Sequence, residues 1–294
     1  MKRQILKMPR AILLGILLCL ILCAFSTAGA NKPFFFIQLT DPQFGMQAKD
    51  ADFEQETANF EFAIATANRL KPAFVIVTGD LVNKPGDVAQ TAEYLRVTAR
   101  LDHSIQLYNI PGNHDVDNAP TPASIAKYTA KFGPDHYTFE SNGLTGIVLN
   151  SALIHSSQGA PELYEAQEKW LMAELEKAKK RGAQHIVIFQ HHPWFLESVD
   201  EPDAYENIPK ERRRRYLEVF RQHGVTHLFS GHYHRNQISR DGPLELVTTG
   251  PIGMPLGGKD KSGMRIVIVH DGSIEHRYFE MGGIPNRIDP VKPL

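Results

Sequence analysis

Cysteine is all but missing from this chain of 294 residues: Cys19 and Cys23 are the only two, and both stand within the first thirty positions. Everything beyond them lacks disulfides, thiolate metal ligands and a cysteine nucleophile. An excess of either charge is missing too. The 32 basic residues face 33 acidic ones, so the chain is not built as a scaffold for nucleic-acid phosphates. Low-complexity tracts and internal repeats are absent. With 42% hydrophobic and 22% charged residues the composition is that of an ordinary globular chain, which excludes collagen-like, coiled-coil and wholly disordered organisation. Any chemistry falls to His, Asp, Asn and hydroxyl side chains.

Long apolar runs are confined to the start. Lys2, Arg3, Lys7 and Arg10 form a basic head, and no acidic residue precedes Asp41. Residues 11–24 are fourteen consecutive apolar or glycine positions, and Ala28-Gly29-Ala30 offers the small residues of a cleavage site. That order reads as an export signal. Fourteen residues span about 21 Å as a helix, short of the roughly 30 Å of a bilayer's hydrocarbon core, so removal is expected rather than retention as an anchor. The sequence predicts a signal over residues 1–30 and a single domain over 31–294, exported to a periplasm or the extracellular space, with no stable membrane span. That domain carries 28 basic against 33 acidic residues.

Beyond the signal, apolar β-branched and aromatic runs alternate with helical patterns. Strands are expected at 34–39, 73–78, 105–110, 144–150, 185–190, 225–230, 244–248 and 265–269, each ending in a polar or glycine-bearing turn. Helices are expected at 53–70, 88–101, 162–180 and 212–223, with loops near 118–122, 156–161 and 197–209. The pattern is that of one layered α/β domain with a mixed sheet. Ligands of such sheets gather beyond the carboxyl ends of the strands.

Five of those ends carry the chemistry. They read Asp41-Pro42-Gln43, Gly79-Asp80-Leu81-Val82-Asn83, Gly112-Asn113-His114-Asp115, Gln190-His191-His192-Pro193 and Gly231-His232-Tyr233-His234. Carboxylates, an amide and imidazoles without sulfur suit Mn, Fe, Zn, Mg or Ni. They outnumber the four donors of a structural zinc. Two divalent ions roughly 3.5–4 Å apart and sharing a carboxylate fit the inventory better.

In this order the blocks resemble those of the calcineurin-like metallophosphoesterase family: D-x-H/Q, GDxx(D/N/Y), GNH(D/E), a lone His and GHxH. The resemblance covers residues 34–278. Asp41-Pro42-Gln43-Phe44-Gly45, Phe189-Gln190-His191, Phe195-Leu196-Glu197-Ser198 and the stretch from Ser230 to Asn236 are further similar to the calcineurin-like phosphoesterase domain-containing subfamily, which is credited with serine/threonine phosphatase activity. The resemblance implies a four-layer α-β-β-α sandwich, two mixed sheets flanked by helices. It also implies two divalent metal ions, Mn, Fe, Zn or Mg. Asp41 and His234 would hold the first, with Gln43 beside them; Asn113, His191 and His232 would hold the second, and Asp80 would bridge. Gln43 stands where many relatives have His. Asn83 stands where purple acid phosphatases carry an iron-binding Tyr, so a tyrosinate–iron site is not expected. His114 would donate a proton to the leaving oxygen, with Asp115 beside it holding the imidazole in one tautomer. The nucleophile would be a metal-bridging hydroxide, since coordination brings the pKa of water from about 15.7 toward ~7. The expected partner is a phosphate ester, a phosphoprotein or a small molecule. The alternatives are a phosphodiesterase acting on nucleotides or phospholipid head groups, and a non-catalytic module that binds a metal or a partner.

Plainer roles remain for several residues. An isolated Asp after a strand is ordinarily a turn or a helix cap. His192 either faces the phosphate or is solvated. Trp194 and Phe195 either line the pocket or pack in the core. Arg212 to Arg215 point in different directions on a helix, so a solvated helix start is expected there. His103, His136, His155, His185, His223, His227, His270 and His276 lie outside the blocks and are expected to be ordinary surface or core histidines.

Overall fold

Alternation along the strands decides the layering. The computed structural model describes residues 31–257 and 259–294; the expected export signal and both cysteines lie outside the described residues. The first half runs β1 (Phe34–Leu39), α1 (Glu54–Leu70), β2 (Phe74–Val77), α2 (Val88–Thr98), β3 (Gln106–Asn109), the single turn α3 (Asn113–Val116), α4 (Pro122–Phe132), β4 (Tyr137–Ser141) and β5 (Leu144–Val148). Then come α5 (Ser151–His155), α6 (Pro161–Lys180), β6 (His185–Phe189), α7 (Lys210–Gln222), β7 (Val225–Ser230), β8 (Gln237–Asp241), β9 (Leu244–Thr248), β10 (Gly263–Val269) and β11 (Ile274–Glu280). Two sheets result, ordered β11-β10-β1-β2-β3 and β4-β5-β6-β7-β9-β8.

In β1, Phe35, Ile37 and Leu39 face one way and Phe36 the other, as the two-residue period of a strand requires. The first set meets Phe60 and Ile64 of α1, Tyr94 of α2 and Tyr128 of α4. Phe36 enters the layer between the sheets, stacked on Phe74 at 4.6 Å and meeting Phe189 and Phe229 edge-on at 5.8 Å. Val187, Phe229, Val247 and Val267 complete that inner layer. On the far side Ile186, Ile188 and Leu228 pack under Leu171 and Leu175 of α6 and Leu217 and Phe220 of α7. The expected four layers, helix–sheet–sheet–helix with both sheets mixed, are the layers found.

Parallel pairing aims the strand ends. β1, β2 and β3 are parallel neighbours, joined by α1 and α2 as the crossovers that parallel strands need. β5, β6 and β7 are likewise parallel, joined by α6 and α7. Among the described residues no helix is long and apolar enough to cross a membrane.

Strands β4, β8 and β11, helix α4 and the short helices α3 and α5 went unread in the sequence. β4, β8 and β11 are border strands with half-exposed polar sequences, Tyr-Thr-Phe-Glu-Ser in the first case, so they have no apolar run to announce them. Their turns did announce two of them: Asn142-Gly143 closes β4 on β5, and Asp241-Gly242 begins the return from β8 to β9. Such pairs favour the left-handed conformations of tight hairpins. α4 starts on Thr121, whose hydroxyl caps Ser124 N, with Pro122 in its first turn, a start signal that outranks loop composition.

Candidate metal centre

The five-stranded sheet supplies oxygen. Asp41 follows β1, Asp80 follows β2 and Asn113 opens α3 just after β3. One Asp80 oxygen accepts from His114 N at 2.9 Å, while the other lies 3.2 Å from His191 Nε2. Asp41 accepts from His232 N at 3.1–3.2 Å and lies 3.3 Å from His234 Nε2. Gly112 and Gly231 allow this closeness. A Cβ on Gly112 would sit 2.1 Å from Asp80 Oδ1, and one on Gly231 2.5 Å from Asp41 Oδ2. Asn113 has its amide hydrogens committed to Asn118 Oδ1 at 3.1 Å and the Tyr205 hydroxyl at 2.8 Å, leaving its oxygen 3.1 Å from His191 Nε2.

The six-stranded sheet supplies nitrogen. His191 follows β6, and His232 and His234 follow β7. Each imidazole meets a backbone carbonyl through one ring nitrogen: His191 Nδ1 at Thr78 (2.8 Å), His232 Nε2 at Tyr205 (3.0 Å) and His234 Nδ1 at Met254 (2.6 Å). A carbonyl only accepts, so those nitrogens carry the proton. The other nitrogen of each ring offers a lone pair toward the oxygens.

Acceptors therefore face acceptors. His191 Nε2 lies 3.1 Å from His232 Nδ1 as well as from Asn113 Oδ1. Two sets of donor atoms, from Asp80, His191 and His232 and from Asp41, Asp80 and His234, each lie within 4.8 Å of one another. Asp80 belongs to both. Gln43 adds a buried side-chain oxygen with no hydrogen-bond donor, its amide nitrogen being turned to Asn83 Oδ1 at 3.3 Å. Crowded lone pairs are costly in a buried site unless a cation sits among them, and imidazole second nitrogens tied to carbonyls are the usual outer support of metal ligands. The residues fit two divalent cations.

The electrostatics agree. Burial pushes the Asp80 carboxyl up, but the neighbouring His191 and His114 charges outweigh it and hold the carboxyl low. Asp41 is held low in the same way, with His234 opposing burial. Burial pushes His191 down, and Asp80 overrides it, raising the imidazole to about 9; burial and the His191 charge push His232 down to about 3. Two lone pairs 3.1 Å apart compete for a single positive charge. The backbone is bent to serve them: Asp41, Gln43, Asp80, His232 and His234 all have φ between 42° and 68°, a region that costs non-glycine residues about 1 kcal/mol or more each.

Other expected contacts are corrected. Asp115 does not orient His114: its carboxylate accepts from Leu81 N, Val82 N and Gly112 N at 2.8–3.2 Å, tying the Asp80 loop to the Asn113 turn. Nδ1 of His114 is met instead by the Asn83 carbonyl at 2.6 Å. His192 is not solvated. It is 1% exposed, with Nδ1 2.9 Å from the Ser151 hydroxyl, whose oxygen accepts from His191 N and His192 N. Trp194 and Phe195 are core residues, Trp194 packing on Tyr216 and Phe220. Of the four arginines, Arg213 is fully buried and donates to the carbonyls of Val199, Glu201 and Ile208 at 2.9–3.1 Å. It fixes the 197–209 loop, and that loop brings in Tyr205, a site residue the sequence did not single out.

A family model described as calcineurin-like phosphoesterase matches residues 36–236. The chain belongs to the calcineurin-like phosphoesterase family. It is 38% identical over 265 residues to the serine/threonine-protein phosphatase CPPED1 of Pongo abelii, across 85% of this chain and 84% of that one. Among solved structures the fold is similar to GAP50, the anchor in the inner membrane complex of Plasmodium, with a TM-score of 0.64, 14% identity and 85% of each chain covered. It is also similar to a dimetal phosphatase from Danio rerio, with a TM-score of 0.58, 16% identity, and 84% of this chain and 99% of that one covered. At such identities the two structures speak for the fold alone. Calcineurin-like phosphoesterases use two divalent metals and hydrolyse phosphate esters, and this chain is a hydrolase of that kind.

Proposed function

We propose that this chain hydrolyses phosphoserine and phosphothreonine monoesters of proteins, with Asp41, Gln43, Asp80 and His234 holding one divalent ion and Asp80, Asn113, His191 and His232 the other. The observation that carries the site is the set of three imidazoles whose N–H groups are spent on carbonyls and whose lone pairs converge on two carboxylates. The substrate class rests on the 38% identity to serine/threonine-protein phosphatases, which extends over 84% of their length.

Bound ions supply Lewis acidity toward phosphoryl oxygens and make water acidic enough to attack near neutral pH. In the reaction one P–O bond forms to the water oxygen and the bond to the serine or threonine oxygen breaks. His114, partly open to solvent, has Nδ1 occupied by the Asn83 carbonyl, so Nε2 is the nitrogen that delivers a proton to the departing alcohol. Asp115 acts through the backbone. It holds the turn from which Asn113 and His114 project.

The test is phosphate release from a phosphoserine peptide by protein stripped with a chelator and reloaded with Mn, Fe, Zn or Mg in turn. Release from the peptide, restored by metal, is the expected result. Hydrolysis of bis(p-nitrophenyl) phosphate but not of the peptide would replace the monoesterase with a diesterase. Action on neither, with two ions bound, would make this a binding module.

We also propose export, with residues 1–30 removed and 31–294 as the mature domain. The support is the order of basic head, fourteen-residue apolar run and small residues. Secreted material should begin at Asn31, whereas Met1 on soluble cytoplasmic protein would refute it.

A further inference from the structure

We propose that the Tyr205 hydroxyl is a binding group of the active site, donating its hydrogen to a phosphoryl oxygen of the substrate; this rests on the phosphatase reading above. The 197–209 loop has no helix or strand, and a loop of that kind ordinarily keeps its side chains mobile. Here it is tied from beneath. Arg213, buried under it, donates to the carbonyls of Val199, Glu201 and Ile208. Glu201 accepts from Leu196 N, Glu197 N and Ser198 N at 2.8–3.1 Å, and Asn207 donates to Glu201 at 2.6 Å. A buried guanidinium spent on one loop's carbonyls implies that the loop's shape matters, because desolvating that charge is costly.

What the loop presents is Tyr205. Its carbonyl receives the N–H of His232 at 3.0 Å, and its ring lies 4.8 Å from the His232 ring. Its hydroxyl oxygen accepts from Asn113 Nδ2 at 2.8 Å. The other atom of that same amide, Oδ1, is among the converging donors 3.1 Å from His191 Nε2. One amide group thus separates the phenol from the metal-holding atoms. Asn113 has both amide hydrogens committed, to Asn118 and to Tyr205, so the phenol oxygen is the acceptor of that bond and keeps its own hydrogen. No acceptor for that hydrogen occurs among the described residues. The residue is 51% exposed, so the hydrogen is within reach of an incoming anion. Phosphoryl oxygens of a bound ester are the strong acceptors that arrive there, and a donor held rigid in advance loses little entropy on binding them.

Tyr205→Phe removes the hydroxyl and leaves the ring beside His232 and the carbonyl in place. The full chain, loaded with Mn, is titrated with inorganic phosphate by calorimetry, and its metal content and phosphopeptide kinetics are measured in parallel. A hydrogen bond to a charged group corresponds to about tenfold or more in affinity. The expected result is tenfold weaker phosphate binding and a raised KM in Tyr205→Phe, at unchanged metal content. Phosphate affinity within twofold of the parent overturns the proposal. So does loss of metal in the variant, which would make the hydroxyl a support for Asn113 and nothing more. A parent protein that binds phosphate and two ions but turns over no ester would count against the phosphatase reading, whereas an active parent with an indifferent variant counts against Tyr205 alone.

Discussion

The two sheets bring different chemistry to one rim. The five-stranded sheet delivers oxygens, from Asp41, Gln43, Asp80 and Asn113; Asp41, Asp80 and the Asn113 turn are steadied by backbone N–H groups, His232 N from across the rim on Asp41, His114 N on Asp80, and Leu81, Val82 and Gly112 N on Asp115. The six-stranded sheet delivers nitrogens, from His191, His232 and His234, and these are steadied by carbonyls, of Thr78 behind β2, of Tyr205 in the 197–209 loop and of Met254. Each side is thus held by the backbone group of opposite polarity. The difference teaches where the charge resides. Among these donors negative charge belongs to one sheet alone, and the imidazoles add lone pairs without adding to it.

The comparison breaks first at Asp80, the one residue common to both donor groups. Asp80→Ala should lose both ions and lower turnover by about a thousandfold or more, as removal of groups acting as a unit does. His234→Ala should lose one ion and keep the other. Elemental analysis of the two purified variants checks this, and equal metal loss would show that no carboxylate is shared. His114→Ala should keep both ions and lose about 10²–10⁴ in kcat. Metal loss in that variant would move His114 into the ligand set.

The imidazole side depends on a loop, so it can be loosened from a distance. Arg213→Met leaves the carbonyls of Val199, Glu201 and Ile208 without their donor and should cost about 2–3 kcal/mol of stability, read as a lower melting temperature. Metal at the His232 side should weaken with it. An unchanged melting temperature would deny the loop its anchor.

A pH-dependent effect lies near the other end of β7, where burial pushes His227 down to about 4. Its folded pKa is below the unfolded value of about 6.5, so the unfolded chain takes up the proton first on acidification. Stability present above pH 6.5 is then lost as pH falls toward 4, at no more than about 1.4 kcal/mol per unit. Melting temperatures of metal-loaded protein over that range should fall less in His227→Gln than in the parent. An identical fall would assign the acid sensitivity to other buried histidines.

How much of this was readable in advance follows from distance along the chain. The residues whose donor atoms converge sit in blocks of a few residues directly behind strands, so Asp41, Asp80, Asn113, His191, His232 and His234 stand out in the sequence itself. Contacts that cross between blocks were harder. Asp115 looked like a partner of its neighbour His114, but as the third residue of a one-turn helix it folds back to Gly112 N. A run of four arginines reads as a solvated helix start, yet Arg213 shares a helix face with Tyr216, Leu217 and Phe220, at spacings of three, four and seven. That periodicity was legible. Tyr205 was not: nothing local in an acidic loop says that its carbonyl meets a histidine 27 residues away. The border strands were hidden by their polarity, with the Asn-Gly and Asp-Gly turns as the overlooked signal.

Five residues at the rim hold their backbones in the left-handed region, and each conformation would be more comfortable for glycine. Glycine at Asp80 or His232 would relieve that strain, about 1 kcal/mol or more, but would forfeit the bonds to His114 N and to the Tyr205 carbonyl. The residues of the layer between the sheets hold no such backbone, so it is the rim and not that inner core that carries this strain.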